Sequence, residues 1–177
     1  MGEEKRSPRP AAVRAGILTA SDKGSRGERE DESGKVIREL LGRIGAEVVA
    51  YEIVPDELEI IKGRLIAFGE EFRCDLVVTT GGTGFSPRDV TPEATLAVIH
   101  RQVPGIPEAM RAESLKKTPH AMLSRAVAGI RGKTLIVNLP GSPRGVRENL
   151  EVILPALPHG MDILRGDAGE CATNPQL

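Results

Sequence analysis

Residues 79–95 combine a glycine-rich turn with more polar side chains than a turn requires. Three glycines open the segment: Gly81, Gly82 and Gly84. Glycine tolerates positive φ and has no side chain, so successive backbone N–H groups can turn toward an anion. Three polar residues follow: Ser86, Arg88 and Asp89. Because the segment contains neither a Walker A ending nor a Gly-x-Gly-x-x-Gly pattern, it predicts another kind of phosphate or pterin site. The alternative is a plain glycine turn before a capped helix.

This segment lies where a strand leads into a helix. An apolar run at residues 76–78 precedes it, and Thr91 and Pro92 fit the N-cap and N1 positions of a helix. Two further polar loops follow apolar runs, at residues 21–27 and 138–143. Ligands of α/β proteins bind at the carboxyl ends of parallel strands. We therefore expect the three loops to converge on one site, although residues 21–27 also suit a solvated linker.

Hydrophobic periodicity predicts the elements that position these loops. Four strands are predicted, over residues 14–20, 46–54, 75–80 and 134–139. Helices are predicted over residues 32–44, from Pro55 along an apolar stripe to Phe72, over residues 92–101 and 104–117, and along a closing stretch from Val146 to Leu157. This alternation predicts a three-layer α/β/α fold with a mostly parallel sheet. Asp56 and Glu59 also resemble a capping box, which is a structural alternative to a catalytic role for Asp56.

The length and the charge of the chain bound its function. The 177 residues carry a net charge of −1 and only four aromatic side chains, which argues against a nucleic-acid-binding protein. Residues 28–75 hold 13 acidic and 7 basic side chains, whereas residues 101–147 hold 9 basic and 2 acidic ones. If both regions border one cleft, the basic one favours a small polyanion and the acidic one can supply metal-binding carboxylates.

Cysteine usage and the termini indicate the compartment. Cys74 and Cys171 form no C-x-x-C pair, which is typical of reduced thiols in a cytoplasmic protein. No apolar run approaches the ~20 residues of a membrane span, and the N-terminus lacks a signal-peptide core. Three histidines without ligand spacing read as surface or packing residues: His100, His120 and His159. We expect a disordered lead-in over residues 1–12, one domain over 13–165 and a loose tail over 166–177.

Three motifs in this order resemble the molybdopterin adenylyltransferase family, which includes bacterial enzymes and the G domain of gephyrin. They are Val54-Pro55-Asp56-Glu57, the run from Thr80 to Glu93, and Leu139-Pro140-Gly141-Ser142-Pro143. The resemblance covers about residues 13–165. The sequence Arg-Asp-Val-Thr-Pro-Glu after the glycines favours this family over molybdotransferases and competence-damage-inducible proteins, which share its fold.

The resemblance implies a molybdopterin-binding fold, a homotrimer and transfer of AMP from ATP to the molybdopterin phosphate, with Mg²⁺ and release of pyrophosphate. It assigns Asp56 and Asp89 as catalytic and Mg²⁺-binding carboxylates. It assigns substrate and nucleotide binding to a larger set: Ser21, Asp22, Thr80, Gly81, Gly82, Thr83, Gly84, Ser86, Arg88, Thr91, Glu93, Ser124, Asn138, Pro140, Gly141 and Ser142. A molybdotransferase is implied as a partner for molybdate insertion.

Two other functions fit the same residues. One is a non-catalytic paralogue or scaffold that binds molybdopterin, and the other is a nucleotide hydrolase on the same fold. Adenylyl transfer between two polyanions requires positioning and charge neutralisation rather than a covalent nucleophile. The residue types above suit that requirement.

Overall fold

The computed structural model describes residues 12–166. Apart from residues 12 and 166, the predicted lead-in and tail lie outside this range. Within it, six strands are present: β1 (Arg14–Ala20), β2 (Glu47–Val54), β3 (Leu76–Thr80), β4 (Arg101–Gln102), β5 (Ala128–Arg131) and β6 (Thr134–Leu139). Seven α-helices are α1 (Asp22–Ser25), α2 (Glu32–Arg43), α3 (Leu58–Glu70), α4 (Thr91–Val98), α5 (Gly105–Leu115), α6 (Pro143–Ile153) and α7 (Leu157–Arg165). Short 3₁₀ turns are Pro119–Leu123 and Leu154–Ala156.

The six strands form one sheet in the order β2-β1-β3-β6-β5-β4. The first four of these strands run parallel, and β5 and β4 pair antiparallel at one edge. From β1 the chain crosses to β2 on one side, whereas β3 leads toward β6 on the other side. The loops after β1 and β3 therefore diverge, which opens a crevice between neighbouring strand ends.

Helices cover both faces of the sheet, which confirms the predicted α/β/α architecture. On one face, Leu41 of α2 and Leu150 of α6 pack against alternate strand residues such as Val78. On the other face, Phe68 of α3 packs with Val77. Because neighbouring strand residues enter opposite cores, β1, β3 and β6 are buried almost throughout and rich in apolar residues, as expected for a buried parallel sheet.

The four predicted strands lie within one residue of their observed positions, but the antiparallel edge was not predicted. Strand β4 begins at Arg101, which we assigned to the end of a helix, and continues into Gln102, which we left between two helices. Strand β5 has a single branched residue, Ile130, and contains Gly129 because an added Cβ there would collide with Ile99, so its strand signal is weak. The closing helix is divided by a 3₁₀ turn into α6 and α7. Pro155 and Pro158 lie at this division, because proline cannot donate to a continuous helix.

Candidate active site

The turn after β3 is shaped by two glycines with positive φ, 90° at Gly81 and 65° at Gly82. A Cβ on Gly81 would collide with the carbonyl oxygen of Ala20, and a Cβ on Gly82 would collide with Oγ1 of Thr91. Both glycines are therefore required because the turn packs tightly between the β1 loop and α4. This differs from the prediction, in which the missing side chains make room for a ligand.

The backbone of this turn nevertheless offers unpaired donors. Within residues 12–166, no acceptor pairs with the N–H groups of Gly81, Gly82, Thr83 or Gly84. Unpaired backbone N–H groups carry a penalty unless a ligand or water receives their hydrogen bonds. A run of unpaired backbone N–H groups is what anion-binding turns use. The structure therefore leaves donors free for the predicted cradle, which stays a prediction.

Thr91 does not cap α4, so this prediction was wrong. Val90 is the N-cap residue and makes no side-chain cap bond, while Thr91 is the first helical residue. The Thr91 side chain is fully buried, and its hydroxyl has no hydrogen-bond partner in the described part of the chain. The N–H of Thr91 donates to the Gly82 carbonyl at 3.1 Å. Thr91 therefore lies behind the turn and supports it.

Asp22 and Asp56 connect the loops after β1 and β2. The Asp22 N–H donates to Oδ2 of Asp56 at 2.9 Å, and the Asp56 N–H donates to Oδ1 of Asp22 at 3.1 Å. Arg88 of the glycine segment closes the group, because Nε and Nη2 donate to the two Asp22 oxygens at 3.0 and 2.7 Å. Glu57 is the N-cap residue of α3 and has no cap bond, so the proposed capping box is not formed.

The carboxylates of this group have opposite pKa shifts. Hydrogen bonding to Arg88 lowers the pKa of Asp22 below its ordinary value. Burial raises the pKa of Asp56, and the nearby carboxylates of Asp22 and Asp89 raise it further, against the opposing hydrogen bond from the Asp22 N–H. Ionisation of Asp56 is thus less favourable in the folded protein than in water. A cation would relieve this accumulation of negative charge.

Asp89 has its carboxylate inside the glycine segment. Its Oδ2 accepts from the Ser86 N–H at 2.9 Å, while its own N–H donates to the Ser86 carbonyl at 2.9 Å. A Cβ on Gly84 would lie 2.9 Å from the same Oδ2. Asp89 therefore closes a tight turn and places negative charge close to the backbone N–H groups.

Two cavities meet at the glycine turn. The main cleft, about 550 Å³, is lined by residues of the loops after β1, β2, β3 and β6, including Ser21, Asp56, Gly81 and Gly141. The side cavity, about 350 Å³, is lined by a different group: Thr83, Gly84, Arg111, Ser114, Thr118, His120, Ala121, Leu123, Ser124, Pro140, Ser142, Gly145, Glu148 and Asn149. Ser142 borders both cavities.

Ten of the eighteen predicted residues line these two cavities, and the other eight do not: Asp22, Gly82, Ser86, Arg88, Asp89, Thr91, Glu93 and Asn138. Of these eight, Thr91 and Asn138 are fully buried, and the Asn138 side chain lies within β6. Nδ2 donates to the hydroxyls of Thr79 and Thr95 at 3.0 and 2.9 Å, and Oδ1 accepts from the Val127 N–H at 3.2 Å. These hydrogen bonds connect β6 to β3, to α4 and to the segment before β5. The predicted contact of Asn138 with the nucleotide is therefore corrected to a structural role.

Ser142 is the N-cap of α6, as its place before Pro143 predicts, and its Oγ accepts from the Gly145 N–H at 3.0 Å. Sequence reasoning missed Ser33, whose hydroxyl donates to the Gly141 carbonyl at 2.8 Å across the main cleft. It also missed Arg111, whose Nη1 donates to the carbonyls of Ser124 and Ala126. The only signal for Arg111 is the basic bias of residues 101–147.

The donor set suits a magnesium ion that is completed by substrate. No group of three or more His, Cys, Asp or Glu side chains arranged for a metal occurs among residues 12–166. Mg²⁺ binds through one or two carboxylates, together with water and phosphate oxygens, rather than through a full protein cage. Asp56 and Asp89 provide such a partial set beside the unpaired N–H groups of the glycine turn.

Two features lie away from this site. Burial raises the pKa of the Cys74 thiol to about 11, which leaves it unreactive, as predicted. Cys171 lies outside the described residues. No helix within residues 12–166 has the length and apolar character needed to cross a membrane.

The convergent loops, the run of unpaired N–H groups and the paired carboxylates define an α/β protein with a polar candidate site at the carboxyl edge of its sheet. The chain belongs to the family whose model is described as "Probable molybdopterin binding domain", which matches residues 16–159.

Named relatives and solved structures agree with this membership. The molybdopterin adenylyltransferase of Helicobacter pylori strain J99 is 50% identical over 157 residues, covering 88% of this chain and 89% of that protein. The Escherichia coli K12 protein of the same name is 44% identical over 143 residues, covering 78% and 72%. The structure of the molybdopterin biosynthesis enzyme MoaB from Thermus thermophilus is 55% identical, covers 87% and 97%, and has a TM-score of 0.83.

Proposed function

We propose that the protein is a molybdopterin adenylyltransferase of molybdenum cofactor biosynthesis. In this reaction an oxygen of the molybdopterin phosphate attacks the α-phosphorus of ATP, the bond between the α- and β-phosphates breaks, and pyrophosphate leaves. The names of relatives at 44–50% identity support the activity. The observation that carries the proposal is the pair of cavities on either side of one glycine turn. A transfer between two bound substrates requires that both substrates lie beside one phosphate site.

Each group of residues has a role in this proposal. The N–H groups of Gly81–Gly84 bind phosphate oxygens at the junction of the cavities. Arg88 releases Asp22 and pairs with phosphate, since an arginine fork matches both partners. Asp56 and Asp89 hold Mg²⁺, which when bound neutralises phosphate charge. With both substrates oriented at one point, proximity and fixed electrostatics supply the rate enhancement.

We also propose that the chain assembles as a homotrimer. An apolar groove of about 510 Å³ lies between β5, α5, α6 and α7 and includes Val103, Ile106, Leu157 and Leu164. Ile163 beside them is 52% exposed. Apolar surface of this kind is suited to burial between copies of one chain.

A turnover assay tests the activity against its alternatives. The protein is incubated with ATP, Mg²⁺ and molybdopterin, and then with ATP and Mg²⁺ alone. We expect pyrophosphate and adenylylated molybdopterin only in the complete mixture. ATP consumption without molybdopterin would indicate a nucleotide hydrolase, and binding of molybdopterin without any consumption of ATP would indicate a storage protein or scaffold.

A further inference from the structure

Arg125 joins the chain before β5 to the glycine segment through several bonds. Its Nε donates to the Gly84 carbonyl at 2.7 Å, and its Nη2 donates to the Asp89 carbonyl at 2.6 Å. Its Nη1 pairs with Glu93 of α4. Its backbone N–H donates to the Thr83 carbonyl at 2.9 Å. One residue thus contacts the beginning and the end of the turn over residues 84–89, and also the helix that follows.

Apart from the Arg88 fork to Asp22 on the neighbouring loop, the turn has few other restraints. Phe85 is 69% exposed, and residues 86–88 are also exposed. Inside the turn, the only hydrogen bonds among the described residues are the two between Ser86 and Asp89 and a long one of 3.3 Å from the Arg88 N–H to the Ser86 hydroxyl. The guanidinium of Arg125 therefore fixes the distance between the two ends of the turn. A planar fork can bond two carbonyls at once, which a lysine ammonium cannot do with the same geometry.

The charge of Arg125 is already engaged. Glu93 neutralises the guanidinium, and its Nε and Nη2 donors are used by the Gly84 and Asp89 carbonyls. Arg125 is also absent from the linings of the main cleft and the side cavity. Arg88 also lines neither cavity, but its side chain is 55% exposed and, among the described residues, pairs with Asp22 alone. An arginine with the partners of Arg125 positions other groups instead of receiving a phosphate.

We propose that Arg125 is a positioning residue for the adenylyl transfer. It holds the carbonyls of Gly84 and Asp89 so that the Asp89 carboxylate stays aligned with the N–H groups of the glycine turn. The expected loss of catalytic rate rests on the proposed function, whereas the role of Arg125 in holding the turn does not. Misplacement of a catalytic group by about 1 Å costs on the order of 100-fold in rate.

The test compares Arg125→Gln and Arg125→Lys with Arg14→Gln. Arg14 is a control of the same chemistry, because its Nε and Nη2 donate to the carbonyls of Arg73 and Phe72 at the opposite edge of the sheet. Two quantities are measured on each protein: amide hydrogen exchange at Ser86 and Asp89, and kcat and KM for adenylylation of molybdopterin. Exchange requires no substrate, so it decides on the clamp even if the protein is not an adenylyltransferase.

In both Arg125 variants we expect exchange at Ser86 and Asp89 to accelerate by about 10-fold or more, as loss of charge-assisted hydrogen bonds allows. We expect kcat to fall by about 10- to 100-fold, with KM for ATP changed less than about threefold. Arg14→Gln should change neither quantity. If Arg125→Gln fails to fold, Arg125→Lys, which keeps the ion pair with Glu93, carries the test.

Three results would overturn the proposal. The first is unchanged exchange at Ser86 and Asp89 in folded Arg125 variants. The second is a loss confined to KM, because that would make Arg125 a ligand-binding cation. The third is full recovery of kcat in Arg125→Lys, because positive charge alone would then suffice.

Discussion

Replacing Asp89 by Asn separates the two contributions of this carboxylate. In the structure its Oδ2 accepts a hydrogen bond from the Ser86 N–H, and its charge lies near Asp56. Asn retains an oxygen that can accept the same bond but removes the charge. Asp89→Ala removes both. The two substitutions therefore predict different effects on stability and the same effect on chemistry.

The magnitudes follow from these contacts. The hydrogen bond that the Asp89 carboxylate accepts is charge-assisted and costs about 1.5–3 kcal/mol to lose, so Asp89→Ala is expected to lower the Tm by about 3–12 °C. Asp89→Asn keeps the bond in its weaker neutral form and should melt within about 4 °C of the parent protein. Loss of one preorganised electrostatic group lowers kcat on the order of 100-fold, which corresponds to about 2.7 kcal/mol of barrier. Both variants should show this loss.

The assay combines thermal unfolding with adenylylation rate per folded molecule on a single preparation, and with molybdopterin affinity, which should be retained. Glu57→Gln is the control, since it removes an exposed negative charge near Arg88 without touching the turn. A stable Asp89→Asn protein with a near-normal rate would refute a role in the chemical step. A variant with lowered Tm and normal rate per folded molecule would limit Asp89 to closing the turn.

Three further outcomes are expected. The pKa of Asp56 is raised mainly by burial, so ionisation of this side chain destabilises the folded protein as pH rises through that pKa. Asp56→Asn, which cannot ionise, should therefore have a higher Tm than the parent protein at pH 7. This difference in Tm should disappear as pH falls below about 4, where Asp56 of the parent is protonated in both states. Asn138→Ala leaves buried partners unpaired, so it should lower the free energy of unfolding, measured with denaturant, by about 2–4 kcal/mol, while the folded protein keeps its affinity for ATP. Weaker ATP binding at unchanged stability would show that Asn138 contacts the nucleotide. Ile163→Glu should sediment as a monomer at micromolar concentration, whereas Leu96→Glu, at a comparably exposed position on α4, should remain trimeric; a monomeric parent protein contradicts the assembly.

Local chemistry was enough to predict the frame of the molecule. Strands buried on both faces are rich in apolar residues, so β1, β3 and β6 are recognisable without any knowledge of their partners. Ser142 followed by proline specifies a helix start through its own hydroxyl and the N–H three residues later. Parallel alternation then dictates that the following loops share one edge.

Other features depend on contacts between distant parts of the chain, which no local pattern encodes. Asp56 and Glu59 have the spacing of a capping box, yet Asp56 bonds to Asp22, 34 residues away, because the loops after β1 and β2 meet. Thr91 has the residue type of a cap but is buried behind Gly82 by the packing of α4.

The roles of Asn138 and Arg125 also depend on contacts between distant parts of the chain. Both are polar residues near a strand end, and their types alone permit a ligand contact. The sheet register places Asn138 between two buried hydroxyls, while the fold brings Arg125 to carbonyls 41 and 36 residues earlier in the chain. Sequence alone thus determined which residues could do chemistry. Only the tertiary structure decided which of them face the cavities, since that depends on where non-local hydrogen bonds use up their donors and acceptors.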